Sequence, residues 1–320
     1  MKATLGHPIA ALGAVVAASV LPLHGATTTT IYNEAFSGSS LGSPVPPPPT
    51  ATTTAYQVLS TKNATGSSLS GSSLNLVMSG TTSGLAEMQA LFTTSAITLN
   101  SGESITLQLT FTTTNVLDSV NDSINVGLFD SGGLGPVPGN ALANAGLGSG
   151  TTNPTGNAED WNGYVARIGS SFGDFFTRDD QTETTNEAQD VLFTNVGTGA
   201  YDAPSGTSVA SSGTAGLSFS NGSTYTLVLD ISYNGTDITL DEEVYSGAGT
   251  GGTNLYSRSG SAAATYTTFD SLAFGYRETT GGTGPTLSVS ALSVLHTVPE
   301  PAAALLGSLG VIALFRRRRA

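Results

Sequence analysis

The chain has 320 residues, with 10 basic and 23 acidic side chains and a formal net charge of −13 at pH 7. It contains no cysteine, which excludes disulfides, thiolate catalysis and zinc–cysteine sites. Between residues 27 and 297 the few cations are scattered, so this part of the chain has no basic patch, and nucleic acid and anionic lipid are unsuitable partners for it.

Residues 1–26 have the layout of a secretory signal peptide. A positively charged start is followed by the apolar stretch Ile9–Val20, and Gly25-Ala26 supply small residues before a cut at Thr27. His24 is not the small residue preferred third before a cut, so cleavage a few residues away is an alternative. An uncleaved amino-terminal membrane anchor is a second alternative.

Residues 27–297 are predicted to form one all-β domain, an antiparallel β-sandwich of the jelly-roll type. A first strand is expected at Thr29–Phe36, and further segments alternate apolar and polar residues with period two. No comparable stretch has the 3.6-residue period of a helix. The alternating segments are Ser104–Thr112, Ile124–Leu128, Tyr225–Tyr233, Ile238–Leu240, Leu272–Tyr276 and Leu287–Leu295.

Two local signals refine this prediction. Asn234-Gly235 lies between two alternating segments and tolerates φ > 0 at both positions, so it predicts a β-hairpin. In the last segment the alternation changes register near Ala291-Leu292, which predicts a β-bulge.

Several strand motifs resemble a known class of fold. They are Ser101-Gly102-Glu103, Asn125–Ser131, Trp161–Arg167, Thr268–Leu272 and a closing strand that ends Leu292–Leu295. Together they are similar to the concanavalin A-like (laminin G-like) jelly rolls of bacterial surface proteins, over roughly residues 29–295. The resemblance implies a sandwich, and members of this class include both sugar-binding proteins and glycoside hydrolases.

The hydrolase alternative depends on acidic residues that share one face of a strand. Retaining hydrolysis needs two carboxyl groups about 5 Å apart, which neighbours on one face can supply. Asp237, Asp241 and Glu243 share a face with Thr239, while Glu242 is on the other face. The Glu-x-Asp-x-Glu order of laminarinase-type enzymes is missing, so catalysis is not predicted, and no catalytic residue is assigned.

Histidine is too rare in the predicted domain to form a catalytic relay or a histidine metal site. His7 and His24 lie in or beside the signal peptide, and His296 lies at the carboxyl end. Calcium is the one metal that the remaining side chains suit, because it takes carboxylate and carbonyl oxygens. The candidate ligands are Asp118, Asn121 and Asp122 in one turn; a solvated acidic turn is the simpler interpretation.

Sugar binding needs an exposed aromatic face with polar neighbours. Trp161, the only tryptophan, is flanked by Asp160, Tyr164 and Arg167, which makes these four residues the candidate ligand-binding set. The alternative is that Trp161 fills the core. If Tyr164 points inward, Val165 and Arg167 point outward.

The last 23 residues combine a motif, an apolar stretch and a basic block in a fixed order. The uncharged apolar stretch Ala302–Phe315 would form a helix of about 21 Å, short of the ~30 Å hydrocarbon core. A terminal arginine block nevertheless holds the end of a segment in the cytoplasm, which favours a membrane helix over a core helix. The motif is Val298, Pro299, Glu300 and Pro301, and the block that would stop the segment in the membrane is Arg316, Arg317, Arg318 and Arg319.

Residues 298–320 resemble the PEP-CTERM sorting signal of bacterial surface proteins. The resemblance implies recognition by an exosortase, a membrane enzyme of transpeptidase type, and removal of the tail near the Pro-Glu-Pro motif. We therefore expect a non-enzymatic exported protein that passes through an inner-membrane intermediate to the cell surface or matrix. The resemblance implies association with extracellular polysaccharide. It also implies contact with the membrane through the tail alone. A lectin with a defined glycan site and a diverged glycoside hydrolase are the alternatives.

Overall fold

The computed structural model describes residues 25–36, 58–62, 68–70, 72–78, 84–117, 122–134, 158–179, 191–192, 207–278 and 284–300. The chain separates into two compact units, 27–298 and the joined ends 1–26 with 299–320. Among the described residues, no helix has the length and apolarity to cross a membrane. The predicted signal peptide up to His24, the apolar tail and all four arginines of the basic block (Arg316, Arg317, Arg318 and Arg319) lie outside the described residues.

One layer of the larger unit is a nine-stranded antiparallel sheet. Eight of its strands form a continuous path, and the ninth, β1 (Ala26–Glu34), pairs with β18 beside that path. In spatial order the path is β12 (Ser211–Gly213), β15 (Asn254–Ala263), β14 (Asp237–Ser246), β13 (Thr224–Tyr233), β7 (Ser104–Thr114), β18 (Thr286–Pro299), β4 (Ser73–Val77) and β3 (Ser68–Ser70).

The second layer is a seven-stranded antiparallel sheet. In spatial order it contains β11 (Ser208–Val209), β10 (Gly173–Arg178), β9 (Asn162–Gly169), β8 (Ser123–Asp130), β17 (Ser271–Glu278), β5 (Gly84–Leu91) and β2 (Val58–Lys62). A separate two-stranded ladder joins β6 (Ile97–Thr98) to β16 (Thr268–Phe269), and one 3-10 turn spans Ala158–Asp160. The prediction of an all-β antiparallel sandwich is confirmed.

The core lies between the two sheets, where the alternation predicted it. On β7, Ile105, Leu107, Leu109 and Phe111 are fully buried, and the residues between them are partly exposed. The same residues of β8, β13 and β17 that the alternation assigned to one face belong to this core. Because successive side chains on a strand point to opposite sides, a period of two was sufficient to find the buried face.

The predicted hairpin is present, with a different turn from the one that the Asn-Gly pair suggested. β13 and β14 pair as far as Tyr233 and Ile238. Of the two turn residues only Gly235 has positive φ, at 101°. The side chain of Asn234 instead accepts hydrogen bonds from the backbone amides of Thr236 and Asp237, so it closes a wider loop.

The predicted bulge in the last strand is also confirmed, one residue earlier than expected. The pairing of β18 with β7 shifts register between Val289 and Ala291. The first strand, expected at Thr29–Phe36, begins earlier, at Ala26. Thr28 Oγ1 and Thr297 Oγ1 are 3.0 Å apart, which places β1 along the carboxyl half of β18.

The central strands β8, β17 and β5 of the seven-stranded sheet are buried on both faces along most of their length. A second apolar cluster covers its outer side, and the tight approach of the chain there requires a small residue at Gly163, where a Cβ would meet the carbonyl oxygen of Leu128 at 2.1 Å. The members of this cluster are Leu85, Phe129, Ala158, Trp161, Val165, Val191, Leu192 and Ala273.

Candidate functional site

One end of the seven-stranded sheet gathers several turns into a polar edge, here called the loop rim. Strand pairing brings together Asp130 at the end of β8 and Asn162 at the start of β9, while β10 ends one residue before Asp179. The loop rim comprises Asp130–Leu134, Ala158–Asn162, Asp179 and Thr265–Asp270.

The most accessible aromatic side chain of the loop rim is Tyr266. Its hydroxyl donates to Oδ1 of the exposed Asp179 at 2.8 Å. Its backbone is held by the hydroxyl of Tyr164, which accepts the amides of Thr265 at 3.2 Å and Tyr266 at 3.0 Å. The rings of Tyr164 and Tyr266 meet edge to face, 6.0 Å apart. A partly exposed ring therefore stands beside a carboxylate on a braced turn.

A second turn of the rim is built on Asp270. This mostly buried carboxylate accepts the backbone amide of Ser131 at 2.8 Å and its hydroxyl at 2.7 Å. Burial raises the pKa of Asp270, although the bonds from Ser131 oppose the shift. Gly132 and Gly133 have φ of 61° and 84°, a conformation that only glycine adopts freely.

Trp161 packs beneath the loop rim and does not line it. It is fully buried, its ring lies 6.0 Å from that of Phe129, and Nε1 donates to the carbonyl oxygen of Leu134 at 3.3 Å. Arg178 donates to the carbonyl oxygen of Trp161. In this arrangement the indole supports the turn at Leu134, and neither face of the ring is open to a ligand.

The other members of the predicted ligand set separate. Asp160 is partly exposed at the rim, and Tyr164 faces the core and reaches the rim through its hydroxyl. Arg167 lies further along β9, where it contacts Asp174 at 2.6 Å and lies over the rings of Phe172 and Phe176. The structure thus separates the four residues: Trp161 packs on the outer side of the sheet, Tyr164 faces the core, Asp160 lies at the rim, and Arg167 lies further along β9.

A buried polar group on the outer face holds the covering segment Val191–Leu192 against the seven-stranded sheet. The carboxylate of Glu87 accepts the backbone amides of Val191 at 3.0 Å and Leu192 at 3.2 Å, together with Nε2 of Gln89 at 2.7 Å. Nδ2 of Asn125 donates to the carbonyl oxygen of Leu192 at 2.9 Å. Burial raises the pKa of Glu87 to about 7, against the effect of these bonds and of Arg178.

The acidic residues of β14 divide between its faces as predicted. Glu242 points into the sandwich, where it is fully buried beside Tyr256. Burial raises the pKa of Glu242 to about 8, and nearby Arg258 opposes the shift. Glu243, on the outer face, is bound by the Tyr245 hydroxyl at 2.6 Å.

The candidate calcium ligands fall largely outside the described residues. Asp118 and Asn121 are not described, and Asp122 is buried with Oδ2 accepting the Tyr276 hydroxyl at 3.2 Å. Within the described part of the chain no three His, Cys, Asp or Glu side chains lie close enough to hold a metal ion. Calcium binding stays a prediction, because two of its three ligands are untested.

The carboxyl end of the domain leads directly into the predicted sorting motif. β18 includes Val298 and Pro299, so the chain is extended as far as Pro299. His296, three residues from Pro299, contacts Oε2 of Glu103 at 3.2 Å. The membrane-stop role of the basic block stays a prediction, because Pro301, Arg316, Arg317, Arg318 and Arg319 lie outside the described residues.

No family model matches the chain, and no curated protein matches it in sequence. Solved structures similar to it include peanut lectin (13% identity, TM-score 0.36, covering 87% of this chain and 99% of that one). Others are arcelin-5, a lectin-like defence protein of Phaseolus vulgaris (12%, 0.38, 85% and 98%), and a legume lectin-like domain of Entamoeba histolytica (10%, 0.40, 74% and 88%). These scores are too low to transfer a ligand or a site to this chain.

Proposed function

We propose that this chain is an exported, non-enzymatic surface or matrix protein, carried out of the cytoplasm by residues 1–26 and processed by an exosortase at its tail. The observation that carries the proposal is the order of features in residues 298–320: motif, apolar stretch, arginine block. The sandwich supports it, because its last strand ends at Pro299 and the domain needs nothing from the apolar tail to complete β18.

The placement of the titratable residues supports a role without catalysis. Glu242 is shut inside the sandwich, and Glu243 is bound to Tyr245 and Asn254. His296 is in contact with Glu103. Release of reducing ends from polysaccharide would contradict a non-enzymatic role.

Mass spectrometry of the protein from its native host tests the sorting step. We expect the mature protein to lack the residues after about Pro301. Finding Arg316–Arg319 intact on the mature protein would contradict the proposal.

Carbohydrate binding at the loop rim is a second candidate function. Tyr266 offers a partly exposed ring beside the carboxylate of Asp179, and sugar recognition uses an aromatic face with polar groups that fix the orientation. A glycan array with the mature protein should then show one saturable glycan. A matrix protein without such a site would bind many polymers weakly and in a salt-sensitive way.

Substitution at the rim makes this test specific. Tyr266→Ala should weaken glycan retention by about 1–3 kcal/mol, the range for a stacked aromatic hot spot. Tyr245→Ala, on the other sheet, is the matched control and should retain wild-type binding. Equal retention by all three proteins would remove Tyr266 as a binding residue.

A further inference from the structure

The sorting motif has very few backbone hydrogen-bond donors. Proline lacks an N–H, so Glu300 supplies the only backbone donor in Pro299-Glu300-Pro301. That amide donates to the carbonyl oxygen of Gly25 at 2.9 Å. The carboxylate of Glu300 lies over the same glycine, since a Cβ on Gly25 would come within 2.8 Å of its Oε2.

The contact continues the antiparallel pairing of β1 with β18. Thr28 lies opposite Thr297, and Gly25 lies opposite Glu300. The two segments therefore run in opposite directions with constant register. Gly25 and Ala26 therefore form the portion of the amino-terminal chain that faces Pro299 and Glu300. A cut before Thr27 removes that portion and leaves the rest of β1 in place.

We propose that removal of the signal peptide is the step that makes the backbone of the sorting motif available to the exosortase. While Gly25 is present, the one backbone donor of Pro299-Glu300-Pro301 is occupied; after the cut, it is free. Enzymes that bind a peptide as an extended strand take hold of its backbone N–H and C=O groups, so an occupied donor hinders them. The carboxyl-terminal cut then follows the amino-terminal one. This inference rests on the proposed function, because it presupposes both cuts.

The test compares three full-length proteins in the native host: wild type, Ala26→Gln, and Thr30→Gln. Ala26 is exposed, and a larger residue there blocks signal-peptide cleavage without touching the core. Thr30 is an exposed position of the same strand beyond the cut, so Thr30→Gln is the matched control. We expect wild type and Thr30→Gln to lose both ends, and Ala26→Gln to keep both.

Hydrogen exchange separates this mechanism from simple retention in the membrane. A peptide covering 298–301 has only the amides of Val298 and Glu300, so its exchange reports the bond to Gly25. In purified Ala26→Gln precursor the Glu300 amide should exchange about five- to tenfold more slowly than in tail-bearing protein that has lost residues 1–26, as expected for one ordinary hydrogen bond.

The outcomes distinguish the two ideas. A wild-type protein that keeps its tail would overturn the proposed function itself. Loss of the tail from Ala26→Gln at the wild-type rate, with wild type processed normally, would overturn only the order of the cuts. Equal exchange of Glu300 in the two purified proteins would overturn the role of Gly25.

Discussion

The outer face of the nine-stranded sheet is polar and open, whereas that of the seven-stranded sheet is buried beneath turns. Along β7 and β14 every second residue is partly exposed, but along β8 seven consecutive residues are buried. Three of the four outward residues of β8 are nevertheless small or polar, Ser123, Asn125 and Gly127, while the fourth, Phe129, belongs to the outer apolar cluster. Alternation in a sequence therefore identifies the core face of a strand and does not establish that the opposite face meets solvent.

The largest expected difference between the two faces is at Trp161. Trp161→Ala should lower the free energy of unfolding by about 3–5 kcal/mol, because it removes a fully buried indole and leaves a cavity. Urea denaturation measures the change, with Tyr245→Ala on the open face as the control, which should cost much less. A small effect at Trp161 together with lost glycan retention would show that the indole binds a ligand.

The second prediction concerns pH and the interior that both sheets share. Glu242 has a pKa raised from 4.5 to about 8 by burial, so the folded protein holds a proton that the unfolded chain releases above pH 4.5. The associated stability is complete below pH 4.5 and is lost as the pH rises to about 8. We expect a fall on the order of 4–5 kcal/mol across this interval.

Denaturation midpoints at pH 5, 7 and 9 test this behaviour. Glu242→Gln, which keeps the shape of the side chain and cannot ionise, should remove most of the dependence. Glu87, with a pKa raised to about 7, contributes in the same direction and accounts for the part that remains. A variant that retained the full wild-type slope would exclude Glu242 as its source.

The covering of the seven-stranded sheet should depend on Glu87. Glu87→Ala leaves the amides of Val191 and Leu192 without their acceptor in a buried position, which should cost roughly 1–3 kcal/mol. Glu87→Gln keeps one carbonyl oxygen and should have an intermediate effect. Hydrogen exchange should accelerate at 191–192 in the same order, and unchanged exchange there would show that the segment is held by other contacts.

The smallest effect is expected on the open face, where Asp230 and Asp241 lie directly opposite each other. Like charges in this position repel, so Asp241→Asn should stabilise the protein by ~0.2–1 kcal/mol. The gain should shrink in high salt, because salt screens exposed charges. Thermal unfolding at two ionic strengths measures it, and a destabilised variant would mean that Asp241 makes a favourable contact on that face.

The sequence predicted the fold better than the site, for a physical reason. Strands such as β7 and β14 have one covered and one open face, so apolar and polar residues alternate along them. β5 was missed, because its Ala, Met, Glu and Gln residues favour helices and both of its faces are buried. The role of Glu87 in β5 is visible only in the folded structure, where its carboxylate accepts amides of a segment more than 100 positions away in the sequence.

The loop rim could not have been predicted for a similar reason. Tyr266 lies in a stretch of small residues without period, and its partner Asp179 is 87 positions distant. The motif Trp161–Arg167 did locate the correct strand, and the expected orientation of Tyr164 and Val165 is confirmed. The tryptophan itself is a supporting residue, which neighbouring residue types alone do not reveal.

The position of β18 has a consequence for the order of folding. This strand is inserted between β7 on one side and β4 and β1 on the other, so the nine-stranded sheet cannot be completed until Thr286–Pro299 has been synthesised. Contacts between such distant parts of a chain form slowly. Until β18 pairs, the sheet remains in separate pieces, because among the described strands it is β18 that joins β4 and β1 to β7.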